Sequence, residues 1–217
     1  MTVTSLLEKL RTSPTTTHRC RFIGIDPDLH NTGWASILAE WTVPRTAKTV
    51  YADLQGGLLP VPSALRGLQA ALASVRALVE HGTPQWLVSF QTVMVVEGQQ
   101  VYPDGDAPRS EIIGKANDLL MLAQVTGGAM AFGVTRGFQV QAVLPRTWKG
   151  QKDKSAHQGH ILAQLFGLGL GDARLDGHLV TRLPPKYNHA MDAVGIALWA
   201  AEQASMGLLP IRAEQHG

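Results

Sequence analysis

The chain has 217 residues, of which 45% are hydrophobic and 17% charged, with a formal net charge of +2 at neutral pH. That length suffices for one large domain burying about 70% of its unfolded surface, so folding requires neither a disulfide nor a structural metal. The single cysteine, Cys20, excludes an intrachain disulfide and fits a reducing compartment, while so small a net charge does not by itself announce a nucleic-acid binder.

Residues 1–19 read as a leader, with a short helix over 4–12 and a connector, TSPTTTH, before the first strand. The leader lacks the basic start and long apolar core of a signal peptide. No stretch reads as the roughly 20 apolar residues that span a bilayer. The expectation is a soluble, unsecreted protein without a membrane partner.

The first strand is RFIGID, which ends at Asp26; Pro27 stops it, and Thr32-Gly33-Trp34 begins a second apolar run to about Leu38. A carboxylate at the end of a buried strand is costly unless something positive faces it. Asp26 is therefore a candidate site residue, against the alternative of a turn aspartate holding its own backbone. Cys20, at the mouth of this strand, reads as a small buried hydrophobe. A third strand over 48–54 would complete an antiparallel meander.

Residues 62–80 carry Leu65, Leu68, Leu72, Val75 and Val79 at helical spacing, closed by His81-Gly82. The β-branched run 92–96 predicts a strand covered on both faces, with Glu97 at its end. After the loop PDGDAP, Ser110 and Glu111 open a long helix through Ala123. A strand over 137–144 leads into PRTWKGQKDK, where Arg146, Lys149, Lys152 and Lys154 against Asp153 give a local balance of +3. A helix over 155–166 follows. Residues 167–188 show no clear period, and a last helix spans 189–204 with Asn188 as its cap. This order predicts an α/β fold, a mixed sheet with helices packed on its faces.

In the last helix His189 stands three residues before Asp192, on the same face, so an imidazole and a carboxylate can converge on one ion. Alone, the pair also reads as a first-turn residue and a carboxylate favoured by the helix dipole. Together with Asp26 and Glu97 it forms an oxygen-rich set with one histidine, which suits Mg²⁺ or Mn²⁺ better than zinc. Two such ions can hold the attacking water and the leaving oxygen of a phosphodiester in line.

GIDPDLHNTGWA, the strand ending in Glu97, PRTWKGQKDK and NHAMDAVGIALWA, in that order, resemble the RuvC-type Holliday junction resolvases of the RNase H-like superfamily. The resemblance implies an RNase H-like five-stranded mixed sheet with helices on both faces, over residues 20–207, between the leader and a tail over 208–217. It implies a crossover junction endodeoxyribonuclease, homodimeric, which uses two Mg²⁺ or Mn²⁺ ions to nick four-way DNA symmetrically. Asp26, Glu97, His189 and Asp192 match the family's metal-binding catalytic set. Arg146, Lys149, Lys152 and Lys154 would contact phosphates, and Tyr102 is the aromatic nearest the position of the family's junction wedge. Trp148 is expected to pack. Asp28 departs from the glycine usual after Asp-Pro, which places an extra carboxylate near the site. The setting implied is the cytoplasm of a bacterial cell or a phage-infected host. The other readings are an RNase H-type nuclease acting on RNA:DNA hybrids or other branched DNA, a non-catalytic DNA-binding relative, and an actin-like ATPase or kinase. The last would need a second phosphate motif that the chain does not repeat.

Overall fold

A computed structural model describes residues 16–43, 48–60, 91–99, 109–150 and 154–211. Strands β1 (Thr16–Asp26), β2 (Asn31–Val43) and β3 (Val50–Pro60) form the antiparallel meander, and β4 (Gln91–Glu97) and β5 (Gln139–Val143) add to it in parallel. The sheet order is β3-β2-β1-β4-β5, so β1 is central and has strands on both sides. Its side chains alternate between two cores. Cys20 and Phe22 point to one face, where helix α4 (Asn188–Ser205) packs. Ile23 and Ile25 point to the other, against Ala129 and Phe132 of helix α1 (Arg109–Thr135). This is the expected mixed five-stranded α/β sheet with helices on both faces.

Several boundaries differ from the sequence expectation. β1 takes in 16–19, part of the expected leader, and Leu209 is buried in the α4-side core although the tail was expected from 208. β3 runs to Pro60 instead of stopping at Leu54, because Gly56 and Gly57 stay in the ladder opposite Ala35 and Trp34. The tip of a two-strand hairpin, β6 (Arg174–Leu175) and β7 (His178–Leu179), docks there. Asp176 accepts the Leu58 backbone N–H at 2.8 Å, and its own N–H donates to the Gly56 carbonyl. That hairpin and two 3₁₀ turns, Val180–Arg182 and Pro185–Tyr187, make up most of the stretch that lacked periodicity. Asn188 is not the cap of α4: it lies inside the helix, Tyr187 precedes it, and no side chain caps the end.

Helix α1 also corrects the bilayer expectation. Residues Ala116–Thr135 have the length and mean hydropathy, 1.2, of a membrane span. Asp118 is the one charged side chain in that window. The helix nevertheless packs on the sheet through Ala129 and Phe132, and Gly133 leaves room for Val140 and Met94 beneath it.

The basic segment begins as a one-turn helix, α2 (Pro145–Trp148), and α3 (Lys154–Gly167) follows. The helix expected over 62–80, Lys152 and Tyr102 lie outside the described residues.

Candidate metal and nuclease site

Asp26 and Glu97 end adjacent parallel strands. The β1–β4 register pairs Gly24 with Val95 and Ile25 with Val96, so the next step brings Asp26 beside Glu97. Strand alternation then points both carboxylates to the α4 face. Two glycines let α4 come down on this spot. A Cβ at Gly33, which is paired with Asp26, would run into the His189 carbonyl, and a Cβ at Gly24 would run into that of Ala193. Thus the first turns of α4, with His189 and Asp192, lie directly over the strand ends.

His189 Nδ1 lies 2.7 Å from Asp26 Oδ2, and its Nε2 lies 3.6 Å from Asp28 Oδ2. Asp28 is the turn aspartate here: its Oδ1 accepts the backbone N–H groups of His30 and Asn31 at 2.8 and 3.0 Å. Asp26 holds no turn. Glu97 Oε2 accepts the Trp148 indole N–H at 2.6 Å, with Lys149 Nζ at 3.6 Å from the same oxygen. Asp192, 3% exposed, accepts from Gln158 Nε2 at 3.4 Å.

Burial dominates the electrostatics. It pushes the Asp26 carboxyl above its usual value, Asp192 pushes the same way, and His189 and Lys149 act against it. Glu97 is raised to about 7, first by burial and then by the Asp26 charge, against Lys149 and the Trp148 bond. Asp28 behaves differently: burial would raise it, but the Asn31 and His30 N–H groups, together with the nearby His189 and His30 rings, outweigh burial and hold it below the usual carboxylate range. A cluster of buried acids that resist ionisation is the arrangement a multivalent cation relieves.

Three carboxylates and one imidazole fit a hard divalent cation by donor chemistry. Among the described residues, though, no three His, Cys, Asp or Glu side chains stand together as a formed metal group. Each candidate ligand is held by a protein partner instead, and His189 meets Asp26 and Asp28. Binding would exchange the contacts of His189 with Asp26 and Asp28 for the ion. Cys20 lies six residues back along β1, about 20 Å from the strand end, and its thiol donates to the Gln91 carbonyl. It takes no part.

No protein-family model and no curated protein matches the chain. Solved structures do match. Thermus thermophilus RuvC in complex with Holliday junction substrate aligns over 87% of this chain and 97% of that one, with a TM-score of 0.53 and 18% identity. A second Thermus thermophilus RuvC structure aligns over the same shares, with a TM-score of 0.53 and 19% identity. The fold is of the RuvC type.

On this RuvC-type fold the structure gathers Asp26, Glu97, His189 and Asp192 at one end of the sheet, and it adds Lys149, of the basic set, beside Glu97. Arg146 is exposed on α2, and Lys154 starts α3. Sequence reasoning missed three contributors: Gln158, Trp148 as a hydrogen-bond donor, and Gly33. Only Trp148 left a signal, since a buried indole N–H needs a partner. Nothing in the sequence ties Gln158 to Asp192 or Gly33 to α4.

Proposed function

We propose that the chain is a divalent-cation-dependent endodeoxyribonuclease that resolves four-way DNA junctions by hydrolysing phosphodiesters. The observation that carries this reading is the convergence of Asp26 and Glu97, from neighbouring strand ends, with His189 and Asp192 of α4 on a RuvC-type fold. Support for the substrate comes from the Thermus thermophilus RuvC neighbour, which was solved with a Holliday junction.

Asp26, Glu97, Asp192 and His189 would hold two Mg²⁺ or Mn²⁺ ions, which supply activation of the attacking water and stabilisation of the leaving oxygen. The protein's own groups do the rest. Gln158 orients the Asp192 carboxylate, Asp28 flanks the His189 ring on its far side, and Lys149 offers a positive charge to a phosphate arriving beside Glu97. No nucleophilic side chain is required.

The reading includes a homodimer, because a two-fold pair presents identical sites to two equivalent strands. Leu120 and Val134 of α1, both well exposed, are apolar surface that a second copy would cover. Arg146, Lys149, Lys152 and Lys154 would follow the phosphate backbone of the arms, in the cytoplasm of a bacterial cell or phage-infected host.

The test is Asp26→Asn. The variant should bind a labelled four-way junction like the wild type and leave both strands uncut. Loss of binding along with cutting would make Asp26 a structural residue and sink the reading.

A further inference from the structure

Glu97 receives its described donors on one oxygen. The Trp148 indole Nε1–H donates to Oε2 at 2.6 Å, and Lys149 Nζ approaches the same atom at 3.6 Å. Among the described residues no donor is directed to Oε1.

The indole is fixed in place from several directions. Pro145 opens the one-turn helix that carries Trp148, and the residue is 8% exposed. The His157 ring meets it edge-on, with centroids 4.7 Å apart, and Lys149 Nζ lies 5.1 Å from its centroid. On α4 the facing residue is Gly195, where a Cβ would lie 2.7 Å from Trp148 Cζ3. The missing side chain at 195 makes room for the ring. A purely apolar side chain in this space would bring no donor to the carboxylate, and the indole does. At 2.6 Å the N–H···O separation is short.

We propose that Trp148 is a positioning residue for Glu97: its N–H fixes Oε2, which leaves Oε1 as the oxygen that meets the divalent cation. The inference rests on the nuclease reading for the presence of a cation and goes beyond it in assigning the carboxylate's orientation to Trp148. Removing the outer partner of a metal ligand commonly costs 10–100-fold in metal affinity.

The experiment pairs Trp148→Phe, which keeps an aromatic ring and loses the donor, with the wild type and Glu97→Gln. Mg²⁺ binding is titrated by calorimetry, and the Trp148 indole resonance is followed in ¹H–¹⁵N spectra. The expected result is a cooperatively folded Trp148→Phe whose Mg²⁺ dissociation constant is about tenfold or more above that of the wild type. The wild-type indole resonance should shift with Mg²⁺ and stay still in Glu97→Gln. A Trp148→Phe protein that melts lower but binds Mg²⁺ as the wild type does would make the residue a packing group only and overturn the inference. So would a wild-type indole resonance that ignores saturating Mg²⁺, a result that needs no variant to fold. Absence of Mg²⁺ and Mn²⁺ binding by the wild type would instead bring down the cation-dependent function itself, and the inference with it.

Discussion

Replacing Gly33 by alanine should displace the site without touching any ligand. An added Cβ would lie 2.6 Å from the Ala190 backbone nitrogen, where ordinary contact begins at 3.4 Å, and it would press harder still on the His189 carbonyl. Both atoms belong to the helix backbone, so no side chain can swing away. The first turn of α4 must retreat by at least about 0.8 Å, the difference between those distances, and further to clear the His189 carbonyl. Overpacking of this kind costs about 1–3 kcal/mol, and each kcal/mol lowers the melting temperature of a chain this size by about 2–4 °C. Catalytic groups misplaced by about 1 Å commonly lose about 100-fold in rate. Thermal melts and single-turnover cleavage of a four-way junction measure the two effects. Gly127→Ala is the control: it lies in α1, and its added Cβ meets nothing within 4 Å. Its stability should be unchanged or raised by up to about 1 kcal/mol. A Gly33→Ala protein that melts and cuts like the wild type would refute the idea that this glycine sets the height of α4 above the strand ends.

Two further outcomes follow from the electrostatics. A carboxyl raised in the folded state, as Glu97 is to about 7, favours folding below its unfolded value of 4.5 and loses that contribution as pH rises through 7. The metal-free chain should therefore melt at falling temperatures from pH 4.5 to 7, with a smaller fall in Glu97→Gln; equal slopes would contradict the shifted carboxyl. Lys149→Ala should weaken junction binding at low salt and reduce the logarithmic salt slope by about one. An unchanged slope in fluorescence anisotropy titrations would remove Lys149 from the phosphate contacts.

The parts of this site that could be read in the sequence are those with a local signature. Asp26 and Glu97 stood out because each ends a buried apolar run, and the structure sets them side by side on one face. His189 and Asp192 stood out through helical spacing. What escaped was fixed by tertiary approach. Gly33 read only as part of the start of the second apolar run, and the descent of α4 shows why a side chain is excluded there. Asp26 had a turn aspartate as its alternative reading, and the backbone N–H groups of His30 and Asn31 give that role to Asp28. β3 outran its expected end because Gly56-Gly57, which punctuates a sequence, here stays in the ladder and admits Asp176. The hairpin over 174–179 was invisible because two-residue strands carry no period.

The most direct measurement is cleavage of a labelled four-way junction beside a linear duplex and an RNA:DNA hybrid, each with Mg²⁺, Mn²⁺ or EDTA. The expected result is paired, symmetric nicks in the junction alone, present with either cation and absent with EDTA. Cutting of the hybrid in preference to the junction would contradict the substrate while retaining the metal chemistry, and junction cutting that persists in EDTA would contradict the role given to Asp26, Glu97, His189 and Asp192.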